Sequence, residues 1–284
     1  SSIMNVNFVN PIVTSETNNG QDMTVGTGVV FGGIRGTNSG SLININNVHV
    51  ISGTVIGEGA SGGFGGMIRT GNVEISNSSF DGTVQQFDIS DSGPTAYGGF
   101  VGQIDPNQPS VTMSGIYTNG NLTGSGNKYG GIIGDIEKPN VRLYDLFSTM
   151  NISIVAVDSV SVKTAGLIGE INAVTSGNKD MIISNSYFAG SILLPSTSNS
   201  SGPIYGFEDY DSIEFISVVY YLKIANNVSE PVVDGIQSLT VDTANEITSY
   251  SSWDIGNVDS SSTWIKIDGY LPYLAWQEEP LPEQ

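Results

Sequence analysis

The chain has 284 residues, with nine Lys or Arg against 28 Asp or Glu, a formal net charge of −19. That balance excludes nucleic acid, whose phosphates are bound by neutralising cations, and opposes an anionic membrane surface. With no cysteine there is no disulfide, thiolate metal site or cysteine nucleophile, and no apolar run approaches the roughly 20 residues of a membrane-crossing helix.

Short apolar alternations rich in β-branched residues, punctuated by glycine, predict an all-β chain. The first, Ile3 to Ile12, is a truncated form that carries no charge. Leu42 to Val55 repeats it with one or two residues inserted. Copies follow at Val73 to Val84, Val111 to Leu122, Val141 to Ile152 and Met181 to Ile192, with a truncated form at Ile213 to Leu222. Apolar positions alternate up to an Asn and resume on the opposite parity, as in Val73 and Ile75, then Phe80, Gly82 and Val84. Alternation has a period of two within one strand, so a parity switch marks a corner. The corners are Asn5, Asn47, Asn77, Gly115, Asp145, Asn185 and Ser217, residue types that accept a left-handed backbone or bond their own turn. Phe8, Phe80, Phe188 and Tyr220 are expected on one interior face, with Ile51, Thr118 and Ser148 at the equivalent places.

Between these copies a glycine pair recurs inside apolar sequence. It reads Phe31-Gly32-Gly33-Ile34, Phe64-Gly65-Gly66-Met67, Tyr97-Gly98-Gly99-Phe100 and Tyr129-Gly130-Gly131-Ile132, then fades through Ala165-Gly166-Leu167 to Tyr205-Gly206-Phe207. The second glycine falls at 33, 66, 99, 131, 166 and 206, with early steps of 33, 33, 32 and 35 residues. A period of that size belongs to one supersecondary unit that buries its apolar face by stacking on its neighbours. The Gly/Ser/Asn/Asp-rich stretches Asp88 to Thr95, Thr175 to Asp180 and Pro195 to Pro203 read as projecting loops. Further on, Thr240 to Ile247 predicts one or two helical turns with Thr240 as N-cap. Trp253, Trp264, Tyr270, Tyr273 and Trp276 then supply aromatic area to shield the last unit.

Residues able to do chemistry are few. The only histidine is His49, in Val48-His49-Val50. It reads as a strand-face residue, because one histidine cannot build a two-His metal site. Paired carboxylates are the one enzyme class left open, since glycoside hydrolysis needs only two, about 5 to 9.5 Å apart. Glu208, Asp209 and Asp211 form one cluster, Asp88 and Asp91 another; the plainer reading of both is solvated loop carboxylates. Glu208, Asp209 and Asp211 are also the candidate Ca2+ ligands, because Ca2+ asks only for hard oxygens. No other cofactor and no catalytic residue is expected.

The repeat resembles the GLUG-motif family of bacterial surface and secreted proteins, named for a Gly-Leu-any-Gly core. Tyr97 to Gly102, Tyr129 to Gly134 and Ala165 to Gly169 match its glycine run, and Ile75 to Val84 and Ile183 to Ile192 match its Asn-Ser-aromatic run. The ending is similar too, in Val219-Tyr220-Tyr221, Trp253-Asp254-Ile255, Trp264 to Ile267 and Tyr270 to Leu274, where Leu271 departs from the usual spacing. The resemblance implies a stacked scaffold and transfers no catalytic residue.

Residues and resemblance together lead to an all-β, β-helix-like solenoid of about six rungs. Repeats are expected over 1–224, an aromatic capping segment of the same domain over 225–276, and a tail or linker over 277–284. The expected role is a non-enzymatic adhesion or spacer module at the cell surface, binding a surface glycan or protein. The alternatives are a subunit of an extracellular filament, joined end to end through the uncovered 1–12 edge, and a carbohydrate-active β-helix enzyme.

Overall fold

Alternating Val, Ile and Thr favour an extended, half-buried backbone, and nearly every element is a strand. The computed structural model describes residues 1–15, 26–35, 42–87, 95–105, 110–137, 140–155, 162–172, 181–194, 200–208, 213–215, 219–222, 235–258, 261–267 and 270–277. Ser2–Val9, Leu42–Gly57, Asn72–Gln86, Val111–Gly124 and Val141–Ile154 lie side by side in one long sheet, which shorter strands continue to Ile236–Leu239. Two short sheets hold the remaining strands of each pass: one runs from Gly26–Thr27 to Ser200–Gly202, the other from Phe31–Arg35 to Tyr205–Glu208. The chain enters the three sheets in a fixed cyclic order, and each strand pairs in parallel with its counterpart from the previous pass. No helix among the described residues is long and apolar enough to cross a membrane.

The long strands bend where the parity switches. Asn5, Asn47, Asn77, Asp145 and Asn185 have φ between 47° and 56°, and Gly115 has 63°. That left-handed region is costly for most side chains and accepted by Asn, Asp and Gly. Ser217 lies outside the described residues. The serine after the corner explains the Asn-Ser pair. Ser78 Oγ donates to the Ser76 carbonyl at 2.7 Å and accepts from the Val48 amide at 3.2 Å. Ser186 repeats this with Ser184 at 2.7 Å and Leu146 at 3.1 Å. Asparagine sets the bend, and serine ties it to the strand before.

Register corrects two expectations about the interior. Phe8, Val50, Phe80, Thr118, Ser148, Phe188 and Tyr221 stand opposite one another across the long sheet. Ile51 is not in this column, because the inserted residues follow Val50, where the register slips before Gly53; Ile51 is exposed. Tyr221, not Tyr220, faces the core. Tyr220 belongs to an outward column of Asn7, His49, Ser79, Tyr117, Phe147, Tyr187 and Tyr220.

The glycine period also resolves differently, into two columns rather than one. Gly63, Gly99, Gly131 and Gly166 lie side by side, and Gly66, Gly102, Gly134, Gly169 and Gly206 do so three residues further on. The true repeat is Gly-apolar-x-Gly. Gly62 to Gly66 contains two glycine pairs, so matching the wrong pair to Gly98-Gly99 shifts the frame by three, and Gly33 faces Met67 instead of a glycine. Both columns answer to space rather than to φ. A Cβ on Gly131 would lie 2.1 Å from the Gly166 carbonyl oxygen and 2.5 Å from Ser148 Oγ; on Gly63 and Gly166 it would meet the rings of Phe80 and Phe188 at 2.4 and 2.2 Å. On Gly134 it would meet the backbone nitrogen of Tyr97, in the other short sheet, at 2.6 Å. The core fills the space between these glycines and the long sheet. Phe64 stacks on Phe100 at 4.2 Å and Tyr97 on Tyr129 at 5.2 Å, and each such buried ring contributes roughly 1.5–3 kcal/mol.

Thr240 caps the short helix Val241–Ala244 in a reciprocal arrangement with Thr243, as its sequence predicts. Beyond it the aromatic residues are not confined to the last pass. They run back along the flank as a strap. Trp253 packs on Tyr220 and Tyr187, Trp264 on Tyr187 and Phe147, and Trp276 on His49. Trp264 Nε1 donates to Asp145 Oδ1 at 2.8 Å, and the Tyr187 hydroxyl donates to the Pro272 carbonyl. The outward column is aromatic in these passes, and that exposed apolar area is what the strap covers.

Two predictions follow from this packing. Gly131→Ala should lower the unfolding free energy by about 1–3 kcal/mol or more, because a backbone carbonyl cannot move aside. Gly33→Ala, whose new Cβ meets nothing closer than the Met67 carbonyl oxygen at 4.0 Å, should stay within about 0.5 kcal/mol. Equal losses in urea titrations of the two would refute the column assignment. Trp264→Phe strips Asp145 of its indole donor and should cost about 1–3 kcal/mol. Asp145→Asn keeps an acceptor and tolerates the left-handed corner, so its melting temperature should stay near that of the parent.

Candidate functional site

The outward column changes character along the stack. Passes under the strap present Tyr117, Phe147, Tyr187 and Tyr220, whereas the earlier passes present Asn7, His49 and Ser79. Trp276 stands at the junction, its ring centroid 4.9 Å from that of His49. The corner beneath it is Gly115, where a Cβ would lie 2.9 Å from Asn77 Oδ1 and 3.3 Å from Trp276 Nε1. A bare corner thus makes room for the indole. Beside Trp276, along the polar part of the column, opens a cleft of about 490 Å3, lined by Asn7, Asn47, His49, Ser79, Tyr117 and Gln277 among others.

His49 is the centre of a hydrogen-bonded row in this cleft. Its Nε2 lies 2.8 Å from Asn47 Oδ1 and its Nδ1 lies 2.9 Å from Ser79 Oγ, while Asn47 Nδ2 donates to Asn5 Oδ1 at 2.8 Å. An amide oxygen only accepts, so Nε2 carries the proton and Nδ1 accepts from the Ser79 hydroxyl. Burial lowers the His49 pKa from its ordinary value, and the ring is neutral at neutral pH. Reading His49 as a strand-face residue places it correctly. That reading lacks Trp276, which the strap delivers from the far end of the chain.

A second polar cluster joins the two short sheets. Lys128 Nζ lies 2.7 Å from Asp135 Oδ2 and 2.7 Å from Glu170 Oε2, and Lys163 pairs with Glu170 as well. Gln103 Nε2 donates to Asp135 at 3.1 Å and to Glu137 at 2.8 Å. Asp135 is fully buried and its Oδ1 has no hydrogen-bond partner. Burial pushes the Asp135 carboxyl up to about 7, against the pull of Lys128 and with Glu137 and Glu170 adding to the rise. Burial also opposes ionisation of Glu170, but its hydrogen bonds from Lys128 and Lys163 outweigh it and hold that carboxyl below the usual range. Both acids are buried and locked to lysines from the neighbouring sheet. Their evident work is to clamp successive passes together.

Glu208 ends the strand Tyr205–Glu208 with its backbone opposite Ile171. Asp209 and Asp211, and likewise Asp88 and Asp91, lie outside the described residues. Among the described residues, no group of three or more His, Cys, Asp or Glu is placed to hold a metal ion.

The Asp135 pKa has a measurable consequence. Its folded-state value is raised above the ordinary 3.8, so the folded chain holds the proton more tightly than the unfolded chain. The contribution of Asp135 to stability therefore falls as pH rises from about 4 to about 7. His49 acts in the opposite sense: with its folded pKa lowered, stability falls as pH drops through the unfolded value near 6.5. Melting temperatures of Asp135→Asn across this range should lose the Asp135 slope and keep the His49 one; an unchanged profile would contradict the assignment. No family model, curated protein or solved structure matches the chain.

Proposed function

We propose that the chain is a β-solenoid of about six rungs, akin in plan to the GLUG-motif proteins, and that it acts without catalysis as an adhesion module at the cell surface. The observation that supports this most is the flank, a broad ladder of outward side chains ending in a cleft. Dimensions favour adhesion over a spacer role. Neighbouring strands lie about 4.8 Å apart, so about six rungs extend only about 30 Å along the stack. So short a stack adds little reach, while its flank presents a ladder of side chains.

A filament subunit is the second reading, and one observation favours it. Ser2–Val9 forms the edge of the long sheet, and Ile3, Met4, Val9 and Ile12 are 37%, 48%, 63% and 76% exposed. An uncharged apolar edge is a template for strand pairing. Two measurements separate the readings. Antibody against the chain should label intact cells, and beads coated with it should adhere to a cell or matrix surface in competition with soluble protein. Labelling only after permeabilisation, or coated beads behaving as bare ones, would count against adhesion. Concentration-dependent growth in sedimentation, abolished by Ile3→Lys, would favour the filament.

A further inference from the structure

The cleft under Trp276 is distinguished by what lines it. On a chain of net charge −19, the described residues that line it include no Asp, Glu, Lys or Arg, and its histidine is held neutral by burial. Among these residues there is no charge with which to recognise an anion or a cation. Its polar groups are amides, the Ser79 and Tyr117 hydroxyls, the His49 imidazole and the Trp276 indole N–H, and several are uncommitted, the indole N–H among them. The Asn7 side chain makes no hydrogen bond among the described residues. Gln277 uses its Oε1 on the Leu274 amide at 2.8 Å, which leaves the Nε2 donors. Ser79 gives its proton to His49, which leaves its oxygen lone pairs. Beside them stand the rings of His49, Tyr117 and Trp276.

Aromatic surface beside neutral donors and acceptors, in a cleft of ligand-site size, matches a molecule with an apolar C–H face rimmed by hydroxyls. We propose that this cleft binds a neutral sugar, a pyranose unit of a surface glycan. Its C–H face lies against the aromatic wall, and its hydroxyls are read by Asn7, Gln277 and Ser79. A phosphate or sulfate ester would find no cation among the described lining residues. An apolar peptide would leave the amides unpaired inside the contact, at a cost in affinity.

The inference rests on the adhesion reading for its biological setting but has its own test. The full 1–284 chain is titrated by calorimetry with cellotetraose, maltotetraose and chitotetraose, and with polygalacturonate as the anionic control. At least one neutral tetraose should bind saturably, with an affinity unchanged from low to high salt. Asn7→Ala and Ser79→Ala lie on exposed or half-exposed positions; each should weaken binding about three- to tenfold, Asn7→Ala with the melting temperature unchanged and Ser79→Ala with a small drop, since it also strips His49 of its hydroxyl donor. Lys163→Ala, remote from the cleft, should not alter it. No binding by any neutral tetraose, binding of polygalacturonate alone, or tetraose binding indifferent to Asn7 and Ser79 would each overturn the proposal. Bead adhesion that persists in any of those cases would leave the adhesion reading standing on another surface.

Discussion

The structure depends on two lines of backbone that carry no Cβ. Where Gly66, Gly102, Gly134, Gly169 and Gly206 follow one another, the two short sheets meet main chain to main chain. Where Gly63, Gly99, Gly131 and Gly166 follow one another, the long sheet's inward side chains rest directly on the opposing backbone. Any added methyl would separate the layers by more than dispersion forces tolerate, since a gap of half an ångström already forfeits much of the attraction. The large rings of the core fit because the glycines give up their own volume to them.

Corners serve a different end. The left-handed Asn residues bend the long strands, whose pairing skips each corner and resumes in the same register beyond it, and the following serines bind each bend to the strand beside it. Among the described corners two depart from the pattern, Gly115 and Asp145, and each meets a tryptophan of the strap: Trp276 over the first, Trp264 bonded to the second. The column thus changes from an internal brace into a docking site at the passes where the flank is aromatic.

Much of this was legible in the residues. Strand class, the parity switch and the corner positions follow from alternation alone, because a period of two leaves no freedom in which face a residue takes. Register was harder. The insertion after Val50 and the doubled pair in Gly62 to Gly66 each allow two alignments that differ by a whole number of residues, and only pairing decides between them. The flank could not be read at all. Whether an outward aromatic such as Tyr187 meets water or protein depends on a segment far away in the chain, and no local pattern encodes that distance. Gly115 and Asp145 were the available signal: two corner residues unlike the Asn beside them, each matched to an indole.

The strap also changes how the molecule assembles. In an array whose units touch only their neighbours, folding propagates locally and the ends fray independently. Here Trp253, Trp264 and Trp276 contact strands laid down as early as His49, so these closing contacts bridge long stretches of the sequence. Loop-closure entropy places such contacts late and makes them slow. Until they form, the aromatic flank is bare; once they form, the passes from His49 to Tyr220 are held as one cooperative body, and the terminal strands under the strap lose the freedom to peel away one at a time.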